Sequence, residues 1–185
     1  VPDTIDITVN ANPAAPQILT NGPVCAGDSL SFWSNANAVQ YFWSQGTFTS
    51  GLDTLSLLLN PGAYAANLSI IDTNGCTSPP NTISASVYSN PTINYNGPTS
   101  VCGPNVSLNA VFGLDPQDPI NQLDWLQNDQ IIGSVNPFSF ELQTNNGSQE
   151  IFVVQVSTNL GCMAADTFVV SFNPYPQADF AAILN

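Results

Sequence analysis

The stretch N-P-G-A-Y-A-A-N-L-S-I-I-D-T-N-G-C (Asn60–Cys76) decides the fold. It opens with three turn residues, alternates between two kinds of side chain from Tyr64 to Ile70, and closes on Asn74-Gly75. A period of two indicates a β-strand with one buried face, and Asn-Gly indicates a tight turn. The stretch therefore predicts a strand between two turns, with Tyr64 on its inward side.

Similar short runs fill the chain, and none keeps the 3.6-residue period of a helix. About seven such strands per 80 residues are typical of an antiparallel Greek-key sandwich. We predict an all-β protein of two tandem immunoglobulin-like domains. The expected inward faces are Leu30 and Phe32; Val39, Tyr41 and Trp43; Leu55, Leu57 and Leu59; Val106, Leu108 and Ala110; Leu123 and Trp125; Phe138, Phe140 and Leu142; Phe152, Val154 and Val156.

The chain repeats. Alternating runs that lead to Asn-Pro occur at Asp3–Asn10, Asn81–Tyr88 and Asp166–Asn173. Their threonines, like the cysteines and tryptophans, recur roughly every 80 residues, which indicates a tandem repeat. We predict four parts: the last strand of a preceding repeat (1–13), domain 1 (14–91), domain 2 (92–175), and the first strand of a following PKD-like or Ig-like repeat (176–185). The alternative is a complete subunit whose first strand is donated to a neighbour.

All the charged side chains of this protein are acidic. The chain has no Lys, Arg or His and has 13 acidic residues, for a net charge of −13. Nucleic acid and anionic membranes are excluded as partners, because both are bound through basic side chains. Serine triads and phosphoryl transfer lack their usual groups, so we predict that the protein is not an enzyme. Disorder is not expected, since 43% of residues are hydrophobic and 7% charged.

Four cysteines, two in each half, suggest an oxidising compartment and one disulfide per domain. We expect the second and sixth strands of each sandwich to run antiparallel, so that the start of one meets the end of the other. The predicted pairs are Cys25–Cys76 and Cys102–Cys162.

Several motifs together resemble a known family. They are P-V-C-A-G-D-S-L (Pro23–Leu30), the inward Trp43, Gly62-Ala63-Tyr64, and D-T-N-G-C-T-S (Asp72–Ser78). This ordered set resembles the immunoglobulin-like and PKD-like repeats of giant secreted Bacteroidota surface proteins. The second half resembles them more loosely, through Val101-Cys102-Gly103, Trp125 and Asn159–Cys162, and Pro176–Phe180 resembles the start of a PKD-like module.

The resemblance implies type IX secretion, a location on the extracellular cell surface, and a role in adhesion, aggregation or gliding. It also implies neighbouring repeats of the same chain, surface glycans or other cells as partners. One departure is that Glu150 stands where the first domain has Tyr64, so a tyrosine corner is expected in the first domain only.

Other candidate sites are weaker. Asp72, Asp115 and Asp118 are oxygen ligands of the kind calcium takes, but turn formation also explains them, so no cofactor is predicted. Asp-Ser/Thr followed by an apolar residue resembles the O-glycan acceptor signature of the same bacteria at Thr4, Ser29, Thr54 and Thr167. Trp43 and Trp125 are expected in the cores. Trp33 is expected on the opposite face from Phe32, where it could contact a ligand or an interface.

Three functions remain open. The first is a non-catalytic structural and adhesive module of a surface protein or filament. The second is a carbohydrate-binding module of a secreted polysaccharide-acting enzyme. The third is a filament subunit that assembles by strand exchange.

Overall fold

A computed structural model describes residues 3–143 and 147–177. The chain divides into two compact units, Val1–Ser89 and Asn90–Asn185. Each unit is a mainly antiparallel β-sandwich, and the described residues contain no helix. The prediction of two tandem immunoglobulin-like sandwich domains is confirmed. The four-part division of the chain stays a prediction.

From residue 3 onward, unit 1 contains eight strands, and two of them are only two residues long. They are β1 (Leu19–Thr20), β2 (Val24–Cys25), β3 (Ser29–Trp33), β4 (Gln40–Gln45), β5 (Phe48–Ser50), β6 (Thr54–Leu58), β7 (Gly62–Ile71) and β8 (Asn81–Tyr88).

These strands form the two sheets of the sandwich. One sheet has the order β1-β3-β6 and the other β2-β8-β7-β4-β5. All pairs are antiparallel except β2 with β8, which are parallel. The parallel pair places the start of the sandwich beside the end of its last strand, where Cys25 lies opposite Tyr88.

The core of unit 1 lies between these two sheets. Leu30 and Phe32 of β3 are fully buried, and Trp43, Leu68 and Val87 face them from the second sheet. Val39 is an exception to the predicted inward faces, because it precedes β4 and is 58% exposed.

The described residues of unit 2 form nine strands in three sheets. They are β9 (Thr92–Tyr95), β10 (Ser100–Cys102), β11 (Asn105–Leu108), β12 (Ala110–Gly113), β13 (Ile120–Gln127), β14 (Gln130–Gly133), β15 (Phe138–Glu141), β16 (Gln149–Thr158) and β17 (Met163–Asn173). The sheets are β10-β17-β16-β13-β14, β11-β15 and β12-β9.

The two units share one strand order. β11 and β12 together take the position of β3, because β11 pairs with β15 as β3 pairs with β6, and β12 pairs with β9 as β3 pairs with β1. The five-stranded sheets correspond strand for strand, including the parallel pair β10 and β17. The interrupted strand explains why unit 2 has one strand more than unit 1.

The predicted terminal strands are only partly described. Residues 3–12 form no strand within the described part of the chain, and all are exposed. Of the predicted following strand, only Pro176 and Gln177 are described, and the rest lies outside the described residues, as do Val1 and Pro2.

Candidate functional site

The predicted disulfides within each domain are wrong. Cys76 and Cys102 are free thiols, whereas Cys25 and Cys162 are disulfide-bonded. Neither Cys25–Cys76 nor Cys102–Cys162 is therefore present among the described residues.

Strand direction in unit 1 explains why the first pair cannot form. Cys25 pairs with Tyr88 at the end of β8, whereas Cys76 lies in the hairpin that precedes the start of β8. At about 3.3 Å per residue, β8 alone separates the two positions by about 23 Å. A disulfide needs Cα atoms within about 7 Å of each other. The prediction failed on strand direction, because β2 runs parallel to β8 and this places Cys25 beside the end of β8, whereas Cys76 precedes its start.

Unit 2 repeats this separation. Cys102 pairs with Asn173 at the end of β17, and Cys162 directly precedes Met163 at its start. The length of β17 separates them by roughly 33 Å. Each unit therefore carries one cysteine at each end of its last strand, which we call the strand-end cysteine (Cys25, Cys102) and the hairpin cysteine (Cys76, Cys162).

The hairpin cysteines sit in matching turns. In unit 1, the Asp72 N–H donates to the Cys76 carbonyl at 3.0 Å, and the Gly75 N–H donates to the Asp72 carbonyl at 3.1 Å. In unit 2, the Thr158 N–H donates to the Cys162 carbonyl at 3.0 Å. The Gly161 N–H donates to the Thr158 carbonyl at 3.0 Å, as the Gly75 N–H does to the Asp72 carbonyl. Both glycines have positive φ, which the turn requires.

A polar side chain fixes each hairpin cysteine. Asp72 Oδ1 accepts the Cys76 N–H at 2.8 Å, and Thr158 Oγ1 accepts the Cys162 N–H at 3.1 Å. The buried Asp118 extends the second arrangement, because its carboxylate accepts the Thr158 hydroxyl at 2.5 Å and the Leu160 N–H at 2.9 Å. These contacts hold the turns in one shape.

The calcium candidates are used in the same way. Asp72 and Asp118 shape the cysteine turns, and Asp115 Oδ1 accepts the Gln117 N–H at 3.1 Å. Over residues 3–143 and 147–177, no three metal-ligating side chains come together.

The candidate core aromatics occupy matching positions. Trp43 is 1% exposed and Trp125 is 0% exposed. Each indole N–H donates to a carbonyl at the other end of the next hairpin, Leu52 at 2.9 Å and Val135 at 2.8 Å. Tyr64 is half-buried, and its hydroxyl donates to the Asn60 carbonyl at 2.7 Å, which makes it a tyrosine corner. Glu150 instead accepts a hydrogen bond from Gln127 at 2.8 Å.

Trp33 is less accessible than its candidate role as a contact aromatic suggests. It is half-buried at the end of β3, between Leu19 and Thr54 on the neighbouring strands. A more exposed aromatic, Phe42 at 48%, lies on the outer face of β4. Phe42 belongs to a shallow groove of about 580 Å³ with Gln40, Ser44, Thr49 and Ser69. The alternation of side chains along Gln40–Gln45 predicts that Phe42 points outward, because successive residues of a strand face opposite sides and Trp43 faces inward.

The outer face of unit 2 has a groove with different chemistry. A groove of about 440 Å³ is lined by Gln122, Asp124, Gln155, Ser157 and Met163. Asp124 precedes Trp125 as Phe42 precedes Trp43, so an acid replaces the aromatic ring. Its carboxylate accepts the Ser134 hydroxyl at 2.6 Å and the Gln122 amide at 2.5 Å.

The four candidate O-glycosylation residues differ in accessibility. Thr4, Ser29 and Thr167 are exposed, whereas Thr54 is half-buried in β6 and its hydroxyl donates to Asp53 at 3.1 Å. A glycan needs an exposed hydroxyl, so Thr54 is the least suitable acceptor of the four.

The segment Asp3–Asn10 presents an uncovered apolar row. Ile5, Ile7 and Val9 are 82%, 83% and 88% exposed. The matching side chains of the last strands are covered: Val87 is 1% exposed, and Val170 and Phe172 are both 0% exposed.

Comparisons with known proteins give fold-level likeness only. Fibronectin III-like modules of Clostridium thermocellum CbhA match at 16% identity with a TM-score of 0.41, over 90% of this chain and 100% of that one. Three domains of the bacteriophage RB49 highly immunogenic outer capsid protein match at 13% identity and a TM-score of 0.47, over 85% of this chain and 59% of that one. The ectodomain of mouse nectin-like molecule 4 matches at 12% identity with a TM-score of 0.41, over 91% of this chain and 67% of that one.

No protein-family model matches the chain, and no curated protein does. Within the described ranges, there is no helix of the length and hydrophobicity needed to cross a membrane.

Proposed function

We propose that this chain is a non-catalytic structural repeat of a larger extracellular surface protein, where it acts as a stalk or an adhesive module. In this role the two sandwiches are links of an array, and the neighbours of each link are further repeats of similar shape. The type IX route and the bacterial origin implied by the family resemblance belong to the same proposal.

The observation that carries the proposal is the uncovered apolar row of Ile5, Ile7 and Val9. A segment with the alternation of a strand whose three apolar side chains are more than 80% exposed is uncommon, since burying such side chains stabilises by about 1.5–3 kcal/mol each. Thr4 aligns with Thr82 and Thr167, so the row takes positions that are buried or half-buried in β8 and β17. The segment therefore has the pattern of the last strand of another sandwich.

Chemistry supports a role without catalysis. The chain has no His, Lys or Arg to serve as base, amine nucleophile or cationic clamp. The buried carboxylates Asp118 and Asp124 are each occupied by two hydrogen bonds from neighbouring groups. The disulfide-bonded Cys25 and Cys162 favour an oxidising, extracellular compartment.

A strand transplant tests the proposal. In the variant, residues 166–173 of β17 are replaced by the sequence of residues 3–10, in register from Asp166 onward. We expect unit 2 to fold, because Ile5, Ile7 and Val9 enter the core positions of Phe168, Val170 and Phe172. Three substitutions of core side chains should cost several kcal/mol, and thermal unfolding measures the loss.

The matched control is the same eight residues shifted by one position, which points Asp6 and Thr8 at the core. Circular dichroism and amide exchange should show a folded unit 2 in the first variant and an unfolded one in the control. Equal folding, or equal unfolding, of the two variants would refute the assignment of Asp3–Asn10 as a last strand.

Carbohydrate binding is a second candidate, and the groove around Phe42 favours it. An exposed ring on a flat sheet face, surrounded by amide and hydroxyl groups from Gln40, Ser44 and Thr49, matches the stacking and hydrogen bonding that sugars require. Under this candidate the module would anchor a secreted polysaccharide-acting enzyme to its substrate.

A glycan array tests this candidate on the whole chain. If the groove binds sugar, Phe42→Ala should lower affinity at least tenfold, and Phe48→Ala should leave it unchanged. Phe48 is the matched control because it is equally exposed, at 49%, but does not line the groove. Absence of binding by the unaltered chain, or equal loss in both variants, would exclude the groove as a sugar site.

A further inference from the structure

We propose that the groove on the outer face of unit 2 binds a lysine side chain of a partner protein, with the ammonium group of that lysine on the carboxylate of Asp124. The partner is defined by this cation and by the apolar stem that carries it. The proposal goes beyond the repeat role given above and does not depend on it. It follows from the register of three neighbouring strands and from the charge of the chain.

Strand register builds the groove. The strands β13, β16 and β17 are adjacent in one sheet, and their pairing places Asp124, Gln155 and Ala165 in one row across it. The short side chain of Ala165 leaves room at the end of this row, and the groove has a volume of about 440 Å³. The next row on the same face completes the lining with Gln122, Ser157 and Met163.

The carboxylate of Asp124 has no cationic side chain of this chain to pair with. Asp124 lines the groove and is only 9% exposed, and a carboxylate buried to this degree is ordinarily paired with a cation or a metal ion. The sequence contains no Lys, Arg or His that could supply the opposite charge. A cation from another molecule is therefore the group that would best compensate this charge.

Two hydrogen bonds hold the carboxylate and leave part of its capacity open. The Ser134 hydroxyl donates to Asp124 Oδ1 at 2.6 Å, and the Gln122 side-chain amide donates to Oδ2 at 2.5 Å. A carboxylate has about four acceptor positions, so about two are left for a ligand. Because each oxygen already accepts one neighbour, the compact ammonium of lysine fits better than the planar guanidinium of arginine, which must align with both oxygens.

The rest of the groove suits the stem of a lysine. Met163 is 73% exposed, and its thioether and the methyl group of Ala165 belong to the apolar part of the lining. A lysine packs its carbon stem along such a surface while its ammonium group stays among polar neighbours. The side-chain oxygens of Gln155 and Ser157 are further acceptors for the ammonium group beside Asp124.

The matching groove of unit 1 provides an internal comparison. Phe42 takes the position of Asp124, and it pairs with Ser69 as Asp124 pairs with Gln155. The residues that line the groove of unit 1 include no acid. Lysine binding is therefore expected on unit 2 and not at the groove of unit 1 in the same sample.

An NMR titration of the whole chain tests the proposal. The probe is an acetylated and amidated tripeptide with a central lysine, in about 0.15 M sodium chloride so that long-range attraction is screened. We expect saturable shifts at the backbone amides of Asp124, Gln155 and Met163, and none at Phe42. The same peptide with norleucine keeps the stem but lacks the charge, and it should bind about tenfold more weakly or worse. The peptide with arginine should bind severalfold more weakly than the one with lysine.

Three variants separate the groove from general attraction to an acidic protein. Asp124→Asn should weaken binding of the lysine peptide by about tenfold or more, because it removes the charge that the ammonium contacts. Asp129→Asn is the matched control, since it removes the same charge from an exposed residue that does not line the groove, and affinity should stay within about twofold. Ala165→Leu should also weaken binding, because it fills the groove and leaves the carboxylate in place. It tests the site even where Asp124→Asn fails to fold.

Four results would overturn the proposal. They are the absence of saturable shifts with the lysine peptide, equal affinity for the norleucine or arginine peptide, equal losses in Asp124→Asn and Asp129→Asn, and unchanged affinity in Ala165→Leu. Calcium chloride in place of the peptide is a further control, and shifts at the same amides with equal affinity would indicate a metal site instead. None of these results bears on the strand transplant, which leaves the groove residues unchanged.

Discussion

At the scale of single residues, Tyr95 shows how burial couples a side chain to pH. It lies on β9, its ring stacks on Phe168 with centroids 3.7 Å apart, and its hydroxyl donates to the Pro98 carbonyl at 2.9 Å. Burial raises the pKa of Tyr95 above its ordinary value of 10.0, because the phenolate would lose hydration. The folded state therefore favours the neutral phenol.

A pH-dependent loss of stability follows. The contribution of the neutral phenol is fully present below pH 10.0 and is lost as the pH rises through the raised pKa of Tyr95. Tyr95→Phe should cost about 1 kcal/mol at pH 8 through the lost hydrogen bond. The cost should shrink at pH 11, where the variant has no phenol to ionise, and urea unfolding at both pH values measures it.

Tyr175→Phe supplies the comparison, because Tyr175 is 65% exposed. The free energy of unfolding of this variant should equal that of the unaltered chain at both pH values. A difference between Tyr95→Phe and the unaltered chain that does not change with pH would contradict the assignment.

At the scale of strands, sequence reasoning recovered whatever depends on side-chain alternation. The buried rows of β3 and β7 and the burial of Trp43 and Trp125 follow from a period of two and from ring size. Alternation also places Phe42 outward, although only the structure shows that polar side chains surround it.

Strand direction and the shortest strands could not be predicted in this way. β2 has two residues and carries no periodic signal, yet its parallel pairing with β8 fixes the position of Cys25. The spacing of cysteines is the same whether the strands that bear them run parallel or antiparallel. The pairing of the cysteines therefore depends on the strand topology, which cannot be read from their spacing in the sequence.

At the scale of the whole molecule, the net charge of −13 has no opposing cations to offset it. The carboxylates repel one another in the folded state more than in the expanded unfolded state. Sodium chloride should therefore raise the midpoint of thermal unfolding. Most of this rise should be complete at a salt concentration of roughly 0.1–0.2 M, where the Debye length falls to about 8–10 Å.

Removing exposed negative charges should stabilise the chain for the same reason as added salt, because it reduces charge repulsion. Asp28 and Asp129 are exposed, and Asp28→Asn/Asp129→Asn should stabilise the chain at low salt by up to about 0.5 kcal/mol per site. The midpoint of this variant should also respond less to sodium chloride. A midpoint that falls as salt is added would show that repulsion is not the dominant long-range term.

The opposed sulfurs of each unit have a mechanical consequence. Tension applied between Cys25 and Cys76 would run along the direction of β8, and the hydrogen bonds that join β8 to β2 and β7 lie across that direction. The ladder would then be loaded in shear, with many bonds sharing the force at once instead of parting one after another. A module pulled through its sulfurs would resist extension along its strongest axis.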